Sequence, residues 1–314
     1  MYKIIPLRKI WLTLSAILVA LSILAISVWG LNFGLDFTGG SLLELKIHNQ
    51  ELNTSEIKTA LEPLDLKSLV VQPTENDTVL LRFQDTREDI HREVIGALES
   101  AYGIDEQGSE AEDGLAEASI EELRFDAVGP SIGEELKNKS INAMILVLII
   151  IVIYISLVFK KVSKPVSSWK YGIVAIIALF HDIIITLGVF AVLGKFMNLE
   201  INTPFVAAML TVLGYSVNDT IIVFDRIREN LPKQLDTFAK TINISVNQTI
   251  SRSINTSTTT LLVLLSILFL GGESIKEFIL ALAIGVLVGT YSSIFLASPL
   301  LVVWNNITHK KKED

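Results

Sequence analysis

Six long apolar stretches dominate this sequence of 314 residues. They are Ile10–Trp29, Ile141–Phe159, Tyr171–Leu193, Pro204–Phe224, Thr256–Leu270 and Phe278–Trp304. Each is near the roughly 20 residues that a helix needs to cross a bilayer. The fifth stretch reaches that length only if its polar beginning, Ser251–Thr260, also lies in the membrane. Half of the residues are hydrophobic (50%) and the mean hydropathy is clearly positive, a combination typical of membrane proteins and rare in soluble ones.

Basic residues predict the orientation of the six spans. We interpret the first stretch as an uncleaved anchor, because it is longer than the apolar region of an ordinary signal peptide and no A-x-A site follows it. One side of the membrane is predicted to carry Lys3, Arg8, Lys9, Lys160, Lys161, Lys164, Lys170, Arg226, Arg228, Lys233, Lys240, Lys310, Lys311 and Lys312. The opposite short loops carry Lys195 and Lys276. The positive-inside rule then places both termini in the cytoplasm and the long segment between the first two spans outside, in the periplasm or its equivalent.

That long segment predicts a small α+β domain. We expect a first span within 1–30, an extracytoplasmic domain over 31–138, the other five spans over 139–304 and a cytoplasmic basic tail over 305–314. Alternating apolar residues in Ser41–Ile47 indicate a strand, and the segments that follow predict the order β-α-β-β-α-β, which is ferredoxin-like. Thr86 with Asp89 is expected to cap the second helix. The acidic segment Ile104–Ala118 is expected to be a mobile loop.

Ionisable residues inside the apolar stretches are the candidate functional residues. They are His181 and Asp182 in the third stretch, Asp219 in the fourth and Arg252 at the start of the fifth. Helical spacing predicts a polar stripe on each of two helices. Asp219 shares its stripe with Tyr215, Ser216 and Arg226. Arg252 shares its stripe with Asn255, Thr256, Thr259 and Ser266. Polar stripes in membrane helices face a bundle interior or a wet cavity rather than lipid.

Asp219 is the strongest candidate for an ion-linked switch. An isolated ionised Asp in the middle of a bilayer costs about 2.5–3.5 kcal/mol on insertion scales. Desolvation favours the neutral form of a carboxyl group, and a nearby guanidinium such as that of Arg252 favours the charged form, so opposed effects of similar size produce a group that titrates when its surroundings change. Two alternatives stay open: Asp219 as a structural partner of Arg252, and His181 as a packing residue.

The sequence also excludes several kinds of chemistry. It has no cysteine, which excludes disulfides and thiol catalysis. It has no phosphate-binding loop, no catalytic triad, and no H-E-x-x-H motif or second nearby histidine for a metal. We therefore expect no enzyme activity, no metal and no cofactor. In the last stretch, Ala281, Gly285, Gly289 and Ser293 recur at every fourth residue, a ridge that permits close helix packing either internally or with a partner.

Five motifs together give a resemblance to a known family. They are FGLDFTGGS (Phe33–Ser41), VGPSIGEEL (Val128–Leu136), LFHDIIITLG (Leu179–Gly188), GYSVNDTIIVFDRIREN (Gly214–Asn230) and SRSINTSTTTLL (Ser251–Leu262). Together and in this order, they resemble the motifs of the SecF members of the SecD/SecF family of protein-export membrane proteins. The resemblance covers nearly the whole chain and implies a six-helix bundle equivalent to half of a resistance-nodulation-division transporter.

The resemblance also implies a function, partners and site residues. Family members use the proton-motive force, or in some bacteria sodium, to complete preprotein export that ATP-driven SecA and the SecYEG channel have begun. The implied partners are SecD, SecYEG, unfolded preprotein and membrane lipid, with YajC and YidC as further candidates and no nucleic acid. Asp219 and Arg252 match the family's ion-coupling pair. Candidate relay members are His181, Asp182, Ser216, Asn218, Asn255 and Thr259. The motif Gly34, Asp36, Gly39 and Gly40 marks the junction with the outer domain, where its glycines permit tight turns.

Two other functions compete with this one. A stand-alone exporter of small molecules or lipids would need two six-helix repeats or a homodimer, and the chain has one repeat. A scaffold that stabilises the translocon without ion coupling would tolerate neutral replacement of Asp219 and Arg252. The sequence leaves the choice between H⁺ and Na⁺ open.

Overall fold

A computed structural model gives the structure of the chain for residues 1–48, 53–73, 78–102, 119–158, 168–233, 237–272 and 275–310. It divides into a helical unit, Met1–Asn32 with Ser140–Asp314, and an inserted domain, Phe33–Lys139. The segment predicted to be a mobile loop, 104–118, and the last residues of the predicted tail, 311–314, lie outside the described residues.

The described residues form ten α-helices and four strands, which are numbered along the chain. The helices are α1 (Arg8–Trp29), α2 (Leu35–Thr38), α3 (Thr54–Leu61), α4 (Glu88–Ala101), α5 (Pro130–Val158), α6 (Ser168–Met197), α7 (Thr203–Asn230), α8 (Phe238–Leu270), α9 (Lys276–Ser292) and α10 (Ser298–Lys310). The strands are β1 (Gly40–His48), β2 (Val70–Pro73), β3 (Thr78–Phe83) and β4 (Ser119–Val128). A π-helical segment, Ser293–Ala297, joins α9 to α10.

The inserted domain is a four-stranded antiparallel sheet with the order β2-β3-β1-β4. Side chains on one face of β1, Leu43, Leu45 and Ile47, are completely buried because they pack with the apolar faces of α3 and α4. The element order β-α-β-β-α-β and the sheet order are those of a ferredoxin-like fold. The sequence prediction of this domain is confirmed.

The turn before α4 differs from the prediction. The helix begins at Glu88 with Arg87 at its N-cap position and no side-chain cap, so the predicted capping by Thr86 and Asp89 is wrong. Asp85 organises the turn instead, because it accepts hydrogen bonds from the backbone N–H of Arg87 at 3.1 Å and from its guanidinium at 3.0 Å. These hydrogen bonds hold the pKa of the Asp85 carboxyl below its ordinary value.

Six helices of the described chain are long and apolar enough to span a membrane, as predicted. They are longer than the apolar stretches themselves. The second begins at Pro130 rather than Ile141, where proline suits the first turn because its missing N–H would have no helical partner. The last reaches Lys310, so the first part of the predicted tail, 305–310, is helical. Asn305 is largely buried and therefore belongs to the bundle.

The polar beginning of the fifth span is helical because its hydroxyl groups find acceptors within the helix. Thr241, Ser245 and Thr249 each donate to the carbonyl oxygen four residues earlier, at 3.3, 2.9 and 3.2 Å. Thr256 and Thr260 repeat the pattern further along. Such bonds satisfy a hydroxyl group inside an apolar bundle, although they slightly destabilise a helix and often bend it. Consequently α8 is one helix of 33 residues.

The residues before α1 form an N-terminal strap across α8. Asn243 accepts a hydrogen bond from the backbone N–H of Ile5 at 3.0 Å and donates one to the carbonyl of Tyr2 at 3.1 Å. Asn247, one turn further on, binds both the backbone N–H and the carbonyl of Tyr2. Ile4 and Ile5 are buried in the core of the helical unit. The strap therefore fixes the start of α1 to the first half of α8.

Candidate functional site

Two carboxyl groups are buried near the middle of the helical unit. Asp182 on α6 is fully buried, and Asp219 on α7 is 2% exposed. A buried carboxylate is costly unless hydrogen bonds or a charge partner offset its desolvation. The partners of each group therefore indicate what it can do.

Asp182 is the centre of a polar cluster that joins three helices. Its Oδ2 accepts hydrogen bonds from Ser216 Oγ on α7 at 2.5 Å and from Ser292 Oγ on α9 at 2.9 Å. Its Oδ1 lies 3.0 Å from Nδ1 of His181. We call His181, Asp182, Ser216 and Ser292 the Asp182 cluster.

Glycines on α9 allow the close approach on which this cluster depends. A Cβ atom at Gly289 would lie 2.8 Å from Cβ of Ser216, and one at Gly285 would lie 2.3 Å from Cγ2 of Val212. Both distances are shorter than side chains tolerate. The predicted ridge of small residues therefore packs internally, against α7, which decides between the two roles that the sequence left open.

A second polar contact lies one turn further along the same two helices. Oγ1 of Thr220 and Oγ of Ser293 are 2.9 Å apart, and Ser293 also donates to the carbonyl oxygen of Ser216 at 3.3 Å. Ser293 begins the π-helical segment. Pro299 follows that segment and supplies no N–H to the carbonyl of Phe295, which is a recognised cause of irregular helix geometry.

Asp219 has a much poorer set of partners. Oδ1 of Asp219 accepts one long hydrogen bond, 3.4 Å, from Ser253 Oγ on α8. Its Oδ2 is buried and has no hydrogen-bond partner among the described residues. A buried carboxyl oxygen that lacks a donor is unusual, because such groups are nearly always satisfied. Asp219 is therefore held loosely and has capacity to bind a proton or another donor.

Arg252 does not form an ion pair with Asp219 in the described parts of the chain. Its side chain is exposed, whereas its neighbour Ser253 is buried and faces Asp219. The predicted partners of Arg252 on its stripe are exposed too: Asn255, Thr256, Thr259 and Ser266. The sequence predicts that this stripe faces a bundle interior or a wet cavity, and the interior of the chain's own bundle is not the surface that it faces. The stripe lies on its surface, since α8 turns its Ser253 and Ser257 face inward.

The remaining relay candidates are not brought together. Asn218 is exposed although it is adjacent to Asp219, because neighbouring residues on a helix point about 100° apart. Thr259 donates to the carbonyl oxygen of Thr256. Within the described ranges, no hydrogen bond links Asn218, Asn255 or Thr259 to either carboxyl group. His181 and Ser216 are the relay candidates that the structure places against Asp182.

Several members of the site were missed in the sequence. Ser292 and Ser253 touch the two carboxyl groups, and Tyr291 lies beside the His181 ring with its hydroxyl 3.1 Å from Ser15 Oγ on α1. His181 Nε2 is buried with no hydrogen-bond partner among the described residues. Ser292 could have been found from the sequence, since it lies three residues after Gly289, which is a member of the predicted ridge.

The glycine motif of the inserted domain has a separate, structural role. Gly39 and Gly40 adopt φ angles of 70° and 124°, in the region that favours glycine. A Cβ atom at Gly39 would lie 2.8 Å from Cα of Pro130. Gly34 has an ordinary φ of −72°, so the expected need for a glycine turn does not apply there. Asp36 lies in the first turn of the short helix α2.

Comparisons with known sequences identify related proteins. The sequence profile described as "Protein export membrane protein SecD/SecF, C-terminal" matches residues 109–307, and the profile "SecD/SecF GG Motif" matches residues 25–51. The protein translocase subunit SecF of Thermobaculum terrenum is 38% identical over 98% of this chain and 95% of its own length. The protein translocase subunit SecDF of Thermus thermophilus is 37% identical over 92% of this chain.

A solved structure agrees with these sequence matches. The crystal structure of SecDF, a translocon-associated membrane protein from Thermus thermophilus, superposes with a TM-score of 0.80 and 32% sequence identity over 97% of this chain. The chain spans 39% of that longer protein. Its fold therefore corresponds to one part of a fused polypeptide.

Proposed function

We propose an ion-coupled role in protein export for this chain, which belongs to the SecD/SecF family of protein-export membrane proteins and matches SecF translocase subunits over nearly its whole length. In this role Asp219 binds and releases the coupling ion, and the change of its state moves the helices around it. The chain performs no covalent chemistry of its own. The energy comes from the ion gradient.

The partner set of Asp219 is the observation that carries this proposal. The side chain is buried, yet it has one hydrogen bond of 3.4 Å and one oxygen without a partner in the described residues. A carboxyl group that served only to hold helices together would be fully hydrogen-bonded, as Asp182 is. Asp219 instead gains a partner when a proton or a donor from a moving helix arrives.

The electrochemical gradient supplies enough free energy for such a movement. At a driving force of about 180 mV, one charge that crosses the membrane carries about 4 kcal/mol. That amount shifts a two-state equilibrium from roughly 1:30 to roughly 30:1. One ion at Asp219 is therefore sufficient for a change of conformation in the bundle.

A proton is the coupling ion that the local chemistry favours. Ser253 Oγ is the one hydroxyl within hydrogen-bond distance of Asp219 among the described residues. A proton needs no ligand other than the carboxylate. A sodium ion in a transporter is coordinated by several oxygens, including those of unwound backbone, and α7 and α8 are continuous helices at this point.

The exposed stripe on α8 supports an assembly with a second bundle. Arg252 and its polar neighbours lie on the surface of a membrane-spanning helix, where contact with lipid would be costly. A partner that covers the stripe removes that cost. We propose that SecD is this partner, since the related SecDF protein is a single polypeptide that this chain matches over 37% of its length.

The proposal extends to the location of the chain and to its further partners. Lysine and arginine asymmetry places both termini in the cytoplasm of the inner membrane and the inserted domain outside it. There the domain meets the emerging preprotein, while the bundle associates with the SecYEG channel. YajC and YidC are further candidates for the same complex.

The test is preprotein translocation into inverted inner-membrane vesicles, measured with and without a proton gradient. We expect Asp219→Asn to abolish the stimulation by the gradient while association with SecD persists. The matched control is Asp225→Asn, because Asp225 lies on the same helix and pairs with Arg228 at 2.6 Å on the surface. Stimulation that survives in Asp219→Asn would overturn ion coupling at this residue and would favour the scaffold role.

A further inference from the structure

We propose that Asp182 is a positioning residue, which holds α6, α7 and α9 together as one unit so that ion binding at Asp219 moves α8 relative to that unit. This inference rests on the proposed function, because it assigns the moving part. Asp182 itself exchanges no ion in this scheme. Its role is to keep Asp219 directed at α8.

The hydrogen bonds of the Asp182 cluster are the reason to regard α6, α7 and α9 as one rigid unit. One carboxylate oxygen, Asp182 Oδ2, accepts hydrogen bonds from Ser216 on α7 and Ser292 on α9, and all three residues are fully buried. In a fully buried site such as this one, a hydrogen bond is electrostatically stronger than it is in water. Separation of any two of these helices would leave buried hydroxyls and a carboxylate without partners, which is costly.

The contacts one turn further along bind the same helices again. Thr220 and Ser293 are 2.9 Å apart at their hydroxyl oxygens, and Ser293 also donates to the backbone of Ser216. Gly289 brings the two backbones close enough for both contacts. A rotation of α7 against α9 would break the whole set at once, so these helices are expected to move together.

The contacts of α8 with this unit are weaker near Asp219. Asp219 reaches α8 through the single long hydrogen bond from Ser253. One turn away, α8 meets the unit through neutral hydroxyls: Ser257 Oγ lies 2.5 Å from Thr290 Oγ1 and 3.2 Å from the Tyr215 hydroxyl. Further along, Asn230 at the end of α7 donates to Ser245 and Gln248 on α8, both at 2.9 Å, and together these contacts form the junction that changes when α8 moves. A change at Asp219 acts on this junction rather than on the Asp182 cluster.

A conservative variant separates positioning from ion exchange at Asp182. In Asp182→Asn the amide oxygen can accept from both serines, and the amide NH₂ can donate to Nδ1 of a neutral His181. This variant keeps the three contacts and removes the ionisable group. Asp182→Ala removes the contacts as well. If Asp182 is a positioning residue, Asn at this position preserves gradient-stimulated translocation and Ala does not.

The first arm of the experiment measures gradient-stimulated translocation in vesicles with these two variants. We expect Asp182→Asn to keep the stimulation and Asp182→Ala to reduce it by up to about a hundredfold, the loss that a misplacement of about 1 Å can cause. Loss of stimulation in Asp182→Asn, with SecD association intact, would overturn the proposal because it would assign an ionic role to Asp182.

The second arm uses reversible disulfides, which this cysteine-free chain permits without background. Thr220→Cys with Ser293→Cys locks α7 to the sixth span within the rigid unit, and Ser257→Cys with Thr290→Cys locks α8 to it. The hydroxyl separations of 2.9 and 2.5 Å place both sulfur pairs within reach of a bond of about 2.0 Å. Disulfide formation is read from gel mobility after cleavage between the helices.

The two locks have opposite expected outcomes. The α7 lock should leave the stimulation unchanged when oxidised, and the α8 lock should abolish it until a reductant restores it. Loss of stimulation with the α7 lock, or full stimulation with the oxidised α8 lock, would overturn the proposal. If one of the disulfides prevents assembly with SecD, the comparison of Asp182→Asn with Asp182→Ala still tests the proposal. An absence of stimulation in the unmodified chain would instead contradict the proposed function.

Discussion

Asp182 and Asp219 are both buried carboxyl groups of the helical unit, but the regions around them differ. Asp182 has three partners within 3.0 Å, from its own helix and from two others. Asp219 has one partner at 3.4 Å and a buried oxygen without a donor in the described chain. Ser216 and Asp219 lie less than one turn apart on α7, so the difference arises from the helices that each one faces.

This difference separates two uses of a buried acid in a membrane helix. A carboxylate with a full set of donors holds helices in place, and its desolvation is offset by those donors. A carboxylate with an incomplete set is sensitive to what approaches it. Asp182 and Asp219 are the same residue type and are buried to nearly the same extent, so the hydrogen-bond partners decide the role of each.

The largest expected effect is the loss of stability on removal of Asp182. Asp182→Ala leaves two buried serine hydroxyls and a histidine nitrogen without their acceptor, which we expect to lower the free energy of unfolding by about 3 kcal/mol. Asp219→Ala should lower it by less than about 1 kcal/mol, since it removes one long hydrogen bond. Denaturant unfolding in detergent micelles measures both. Equal losses in the two variants would contradict the comparison.

A smaller effect is expected when the helices of the Asp182 cluster are forced apart. The Cβ atom in Gly289→Ala would lie 2.8 Å from Cβ of Ser216, so we expect a loss of about 1–3 kcal/mol from overpacking. Gly214→Ala is the matched control, because a Cβ atom there meets nothing within 4 Å. The same unfolding assay should find the control unchanged or more stable by up to about 1 kcal/mol.

An unchanged stability in Gly289→Ala would mean that α7 and α9 adjust freely. The Asp182 region would then be as adaptable as the Asp219 region. The distinction between a rigid and a mobile part of the bundle would no longer hold.

Much of the fold was predictable, because spans and strands follow from local patterns. The six spans appear as apolar stretches, and the alternation of Leu43, Leu45 and Ile47 predicts the buried face of β1. The ends of the helices were less predictable. Pro130 begins a span eleven residues before its apolar stretch at Ile141, since polar residues can continue a helix beyond the hydrocarbon.

The candidate site was predictable in its residues but not in its contacts. Charge in an apolar context singles out Asp182 and Asp219 from one sequence. Which hydroxyl faces which carboxyl group depends on the rotation of each helix, and a difference of one residue turns a side chain by about 100°. That is why Ser253, rather than the predicted Arg252, meets Asp219. Ser292 was missed because serine is common and carries no charge.

The smallest expected effect on stability is that of Ser253→Ala. This change removes the single hydroxyl partner of Asp219, and a hydrogen bond of 3.4 Å contributes little, so we expect a loss below about 0.5 kcal/mol. Ser216→Ala is the matched change at Asp182, where the hydrogen bond is 2.5 Å and the expected loss is about 1.5–3 kcal/mol. The unfolding assay compares the two directly. A loss in Ser253→Ala as large as that in Ser216→Ala would mean that Asp219 is held as firmly as Asp182, and a carboxyl group held in that way would be poorly suited to act as a switch.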